Sequence, residues 1–193
     1  MIPNQTAPRV AVIGSINMDL LVRCPRLPRP GETLFGDEVL EVPGGKGANQ
    51  AVAAARLGAR VQMIGRVGSD AFADTLLQNL KAVNVDTTHV PRTENIASGL
   101  AFVFVETSGE NQITVVPGSN GKVTPDDVAA AESVIASADI LLLQLETPIE
   151  TVLSAIELAH RVGTRVILDP APAPAAVAEG LLHVDLICPN QSE

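Results

Sequence analysis

Apolar residues along the chain gather in five short runs: "RVAVIG" (9–14), "RVQMIG" (60–65), "DILLLQLE" (139–146), "RVILDP" (165–170) and "VDLICP" (184–189). Continuous apolar runs of this length predict strands buried on both faces of a sheet. Between them the period lengthens to that of a helix. "GANQAVAAARLG" (47–58) places Ala48, Ala51, Val52 and Ala55 on one face, with Gly58 as a stop. "DAFADTLLQNLKAV" (70–83) spaces Phe72, Leu76, Leu77 and Leu80 in the same way. "TPDDVAAAESVIA" (124–136) opens with Thr124 as N-cap, Pro125 in the first turn and Asp127 at the third position. "TPIETVLSAIELAHRVG" (147–163) repeats the signal: Thr147 caps, Pro148 opens, Glu150 completes the box and Gly163 ends the helix. Strands alternating with helices predict an α/β fold, a parallel sheet joined by right-handed crossovers.

Two stretches break the alternation. Residues 19–42 and 98–118 each read as a β-hairpin, the second around the turn "TSGEN". In a parallel α/β fold they are insertions. Together they predict a small sheet that covers one edge of the domain as a lid.

The chemistry concentrates near "VPGGKGANQAV" (42–52). This is not a P-loop: Leu40 stands where the first glycine belongs, and Gly47 follows Lys46 in place of Ser or Thr. Nor is it a dinucleotide fingerprint, because the first strand runs into "GSINMD" rather than a glycine-rich turn. That stretch carries Asn17 and Asp19 two residues apart, which in extended chain points both side chains the same way. An amide beside a carboxylate suits a polyhydroxylated ligand, whose hydroxyls donate and accept. The glycines allow close backbone approach, and the helix that follows offers free N–H groups and a positive dipole end. Lys46 adds a mobile charge, with Asn49 one turn further. Glu146 ends a predicted strand, at the carboxyl side where open α/β sheets bind ligands. The residues thus predict a site for a hydroxylated ligand with an anion nearby.

Composition narrows the partners. The chain has 193 residues, 46% apolar, enough for one domain with a real core. No apolar run reaches the ~20 residues of a membrane span, and the first nine residues have no signal-peptide apolar region. A cytoplasmic protein is expected. Cys24 and Cys188 lie far apart and read as free thiols; His89, His160 and His183 are scattered, so no direct metal site is expected. A formal charge of −9, with no Trp or Tyr, argues against nucleic acid as a partner.

"VAVIGSINMDL", "PGETL", "PGGKGANQAVAAARLGA", "GRVGSD", "LLLQLETP" and "DPAPAP" together resemble the carbohydrate kinase family that includes ribokinases, fructokinases and adenosine kinase. The pairing of "GSINMD" with "GGKGANQAVAAARLG" is most similar to the ribokinases. The resemblance covers nearly the whole chain as a single domain, 1–193. It implies a Rossmann-like core with a β-sheet lid that makes a homodimer. It also implies ATP-dependent phosphorylation of the 5-hydroxyl of D-ribose, with Mg²⁺ and activation by a monovalent cation such as K⁺. Carried over by position, Asn17, Met18 and Asp19, the run Gly45, Lys46, Gly47, Ala48 and Asn49, and Glu146 would bind the sugar, with Lys46 also facing the transferred phosphate. "PNQSE" resembles the family's Asn-x-x-Glu motif, which would place Asn190 and Glu193 near the nucleotide phosphates and the Mg²⁺ hydration shell. The family's "GAGD"-type motif, which carries the general base, does not occur in these residues. The expectation is therefore a C-terminally incomplete kinase fold, inactive alone, whose final strand has an unpaired edge. The alternatives are a non-catalytic fragment that binds sugar or dimerises, and a kinase for another sugar or a nucleoside.

Overall fold

The computed structural model describes residues 7–191. β1 (Arg9–Ile13) and β4 (Arg60–Ile64) pair in parallel within a six-stranded sheet. On the β1 side follow β8 (Ile140–Leu143), β9 (Arg165–Leu168) and β10 (Leu186–Ile187); beyond β4 lies β5 (Asp86–His89). Every pairing in this sheet is parallel. Four of the five apolar runs form inner strands as their composition predicts. The fifth does not: β10 is two residues long, lies at the sheet edge, and both of its residues are exposed. β5 has the polar sequence "DTTH" and only half-buried alternate positions, so it carries no apolar-run signal.

Helices cover both faces. Val10 and Val12 of β1 point to one side, onto α1 (Lys46–Arg56) and α2 (Phe72–Ala82). Ala11 and Ile13 point to the other, where α3 (Pro125–Ala130), α4 (Glu132–Ser137) and α5 (Ile149–Val162) pack on Leu141, Leu143, Val166 and Leu168. The predicted helix 124–136 is divided at Ala131, whose backbone leaves helical geometry. Its capping box on Thr124 and Asp127 forms as the sequence predicts. The start of α5 departs by one residue. Pro148 takes an extended conformation and is the N-cap, with no side-chain cap bond, so Thr147 lies outside the helix. Gly163 closes α5 in the left-handed region, where a residue lacking Cβ is unstrained.

The two insertions form a second, mixed sheet. β2 (Asn17–Cys24) and β3 (Glu38–Gly44) make the first hairpin, and β6 (Gly99–Glu106) and β7 (Asn111–Val116) the second. β2 and β6 join in parallel, giving the order β3-β2-β6-β7. By strand alternation, Met18 and Leu20 face the α2 side, and Met18 and Leu100 join its core. Asp19, Ala101, Val103, Ile113 and Val115 share the opposite face.

An ion pair ties the two halves of the main domain. The Arg66 guanidinium, after β4, donates through Nε and Nη2 to both carboxylate oxygens of Asp127, at 2.8 and 2.7 Å. Burial pushes the Asp127 carboxyl up, but the Arg66 fork and the Thr124 hydrogen bonds more than offset it and hold the group below its ordinary value. A depressed folded-state pKa means stability that is present above the unfolded value of about 3.9 and lost as pH falls through the folded value. Asp127→Ala is expected to cost about 1–3 kcal/mol at pH 7, from cap and ion pair together. Urea denaturation checks this, and the gap between variant and wild type should narrow below about pH 4.

Candidate functional site

The site forms where the chain crosses between the two sheets. β1 ends at Ile13, earlier than the sequence suggested, and Gly14–Ile16 carry the chain into β2. Asn17 and Asp19 therefore open the lid sheet rather than close the first strand of the main sheet. β3 returns to the same place and turns directly into α1. Gly45 makes that turn at φ 91°, and a Cβ there would lie 2.7 Å from the Asn17 nitrogen and 2.8 Å from the Ser15 carbonyl oxygen. Both the backbone angle and the space demand glycine.

The first turn of α1 was expected to present free N–H groups to an anionic ligand. They are already occupied. The Lys46 N–H donates to Glu146 Oε2 at 3.3 Å, the Gly47 N–H to Ser15 Oγ at 3.4 Å, and the Ala48 N–H to the Ser15 carbonyl at 2.9 Å. Ser15 Oγ in turn donates to Glu146 Oε2 at 2.5 Å. The carboxylate of Glu146, three residues beyond β8, is thus the anion at this helix terminus. Its other oxygen lies 4.0 Å from Lys46 Nζ.

Above this seat is a cavity of about 850 Å³. Asn17, Asp19, Lys46, Asn49 and Glu146 supply its polar side, and Gly45 its backbone edge. Ala101, Val103, Ile113 and Val115 of the lid form an apolar wall, with Pro148, Pro172 and Ala173 across from them. Amide, carboxylate and ammonium groups over an apolar wall match a small ligand with several hydroxyls and a nonpolar carbon face. Burial, and then the nearby Glu146 carboxylate, push the Asp19 carboxyl above its ordinary value. Two carboxylates facing one cavity beside a single lysine are spare acceptors awaiting donors.

The structure brings together six of the predicted positions: Asn17, Asp19, Gly45, Lys46, Asn49 and Glu146. It does not bring in three others. Met18 and Ala48 are buried in the core beneath α1, and Gly47 packs against the Gly14–Ser15 backbone. Asn190 is exposed and does not line the cavity, and Glu193 lies outside the described residues. Sequence reasoning missed Ser15, which links Glu146 to α1, and Asn120, whose amide contacts Asn17. It also missed the polar run after β8. Among the described residues the buried side-chain atoms without a hydrogen-bond partner are Gln144 Oε1 and Thr147 Oγ1, which flank Leu145 and Glu146. Unpaired buried polar atoms cost free energy and concentrate where ligands bind. For Gln144, a polar residue directly after an apolar strand run was the available signal.

The raised pKa of Asp19 carries a stability consequence. An acid whose folded value is raised destabilises the folded state once it ionises, and the penalty is fully present above the folded value. Asp19→Asn should therefore raise the melting temperature at pH 7. The difference should vanish below the unfolded value of about 3.9, where both states are protonated in the wild type. Thermal denaturation from pH 3 to 8 checks the sign.

Comparison with known proteins shows the family and the fold. Residues 7–193 match the model of the pfkB family carbohydrate kinases. A ribokinase of Staphylococcus aureus is 40% identical over 186 residues, covering 96% of this chain and 61% of its own. A ribokinase of Bacillus subtilis is 43% identical, covering 95% and 62%. A deoxyribokinase of Salmonella typhi is 38% identical over 95% of this chain and 60% of its own. Among solved structures, Arabidopsis thaliana ribokinase complexed with ribose and ATP superposes with a TM-score of 0.85 at 32% identity, covering 97% and 61%. The chain thus spans about three fifths of the length of the curated relatives it matches. On its fold, its site and the extent of these matches, the chain belongs to the pfkB family of carbohydrate kinases.

Proposed function

We propose that these residues are the sugar-binding part of a ribokinase-type kinase, which transfers a phosphoryl group from ATP to the 5-hydroxyl of D-ribose. The observation that carries the reading is the cavity itself: Asn17, Asp19, Asn49 and Glu146 converge on one space beneath an apolar lid wall. Vicinal hydroxyls would donate to Asp19 and Glu146 and accept from the two amides. Lys46, with its side chain 38% exposed at the cavity, would meet the incoming phosphate and gain most as charge develops there. The relative complexed with ribose and ATP supports both ligands. The deoxyribokinase likeness supports a second reading, 2-deoxy-D-ribose in the same cavity.

ATP would bring Mg²⁺ with it, near Asn190 and Glu193, and a monovalent cation such as K⁺ would activate the enzyme. Among the described residues no three His, Cys, Asp or Glu side chains converge to hold a metal. Residues 1–193 contain no "GAGD"-type stretch, and Asp19 and Glu146 are occupied with sugar hydroxyls in this reading. General-base catalysis contributes about 10²–10⁴-fold. The 193-residue polypeptide by itself should therefore bind the sugar but not turn it over. Among the described residues no helix is long and apolar enough to cross a membrane.

The apolar lid face that walls the cavity stays open to solvent and continues at Val42 on β3. Val42, Ile113 and Val115 are 40%, 58% and 43% exposed there. We infer that a second copy covers this face, giving a homodimer through the two hairpins.

Titration calorimetry with D-ribose and 2-deoxy-D-ribose tests the sugar reading. The chain should bind one of them, and Asp19→Ala should weaken that binding by about tenfold or more. Binding of neither sugar, or unchanged affinity in Asp19→Ala, contradicts it. Light scattering at micromolar concentration should show a dimer that Ile113→Lys converts to a monomer. A wild-type monomer contradicts the lid interface.

A further inference from the structure

Asn120 lies in the 3-10 turn Gly118–Lys122, just after the lid's last strand, and is 1% exposed. Its amide is fully used. Oδ1 accepts from the Ile16 backbone N–H at 2.9 Å. Nδ2 donates to the Ile16 carbonyl at 3.3 Å and to Asn17 Oδ1 at 2.7 Å. The direction of each bond is forced. A backbone N–H only donates, so the atom of Asn120 facing it is an oxygen, and the atom facing Asn17 is a nitrogen. Asn17 must therefore turn its own oxygen to Asn120. Among the described residues its Nδ2 has no protein acceptor, and Asn17 lines the cavity. Gly99 allows the pair to meet, since a Cβ there would lie 2.1 Å from Asn120 Nδ2 and 2.2 Å from Asn17 Oδ1.

We propose that Asn120 is a positioning residue that fixes the polarity of the sugar site: it locks the Asn17 amide so that the cavity sees a donor there, and selects a ligand that places an accepting oxygen against it. The inference rests on the sugar-binding reading and deepens it. An unlocked asparagine amide can present either end at similar cost, and a hydroxyl that then donated to Asn17 could not also donate to Asp19. With the donor end fixed at Asn17 and a carboxylate at Asp19, a hydroxyl accepts from the first and donates to the second without competition. Asn120 touches no ligand in this account. Its effect reaches the cavity only through the orientation of Asn17.

Asn120→Asp separates this role from a structural one. The new carboxylate still accepts from the Ile16 N–H, so the backbone clamp at that bond survives. It can no longer donate to Asn17, which must turn its Nδ2 inward and show its oxygen to the cavity. Affinity for the sugar that the wild type binds should fall about tenfold or more by calorimetry. The spectroscopic signature is the Asn17 side-chain amide in ¹⁵N-asparagine-labelled chain, assigned by its absence in Asn17→Ser. In the wild type without sugar, its protons should exchange freely with water while those of Asn120 are protected. In Asn120→Asp the Asn17 protons should become protected without any sugar. A variant that binds sugar within twofold of wild type overturns the proposal, as does a wild type in which the Asn17 amide is protected and that of Asn120 is open. If the variant does not fold, the wild-type exchange pattern alone decides. If the wild type binds no sugar, the sugar reading fails, and the exchange pattern still tests the lock.

Discussion

The seating of the first turn of α1 on Ser15 and Glu146 is the contact on which the site depends. Three remote parts of the chain meet there: the end of β1, the turn out of the lid at Gly45, and the segment after β8. The helix terminus needs an anion, and Glu146 supplies it, so one carboxylate both fixes α1 and faces the cavity. Ser15 holds that carboxylate from below while its own backbone oxygen accepts from Ala48. Displacing any one of the three would shift Lys46 and Asn49 relative to Asp19, because they ride on α1 and β2 respectively.

Small polar contacts hold the lid to this seat, alongside the packing of Met18, Leu20 and Leu100 on the core under α2. Asn120 grips the entry to β2. Asp70 holds the entry to β6, accepting from both the Ser98 N–H and hydroxyl, at 2.7 and 2.8 Å. Ser119 donates to the Arg66 carbonyl, near the ion pair with Asp127. The outer parts of the lid are exposed: every residue of β7 is open to solvent. Asn17 and Asp19 lie at the held end of the lid, and Ala101 and Val115 of the apolar wall stand in register beside Asp19.

Much of this was legible in the sequence. The inner strands are, because burial on both faces forces continuous apolar runs such as "ILLL". The hairpins are, because they interrupt the alternation of strand and helix. The edge strands are not: "DTTH" and the two-residue β10 lack a buried face to impose a pattern. Asn17, Asp19 and Lys46 could be read as a ligand site from spacing and residue type. Ser15 and Asn120 could not, since their partners are more than a hundred residues away in sequence. The occupied state of the α1 terminus was hidden for the same reason, as it depends on Glu146 folding back from after β8. The cap of α5 was misplaced because Pro148 stays extended, leaving Thr147 at the cavity instead of in the helix.

The central claim is that one ligand is held simultaneously by the lid edge, the first turn of α1 and the segment after β8. Hydrogen exchange of the chain with and without saturating D-ribose tests it most directly. The account predicts added protection in three separated stretches together, around residues 15–19, 45–49 and 144–148, with little change at the sheet edge formed by β5. Protection confined to a single stretch, or found only outside these three, would contradict it.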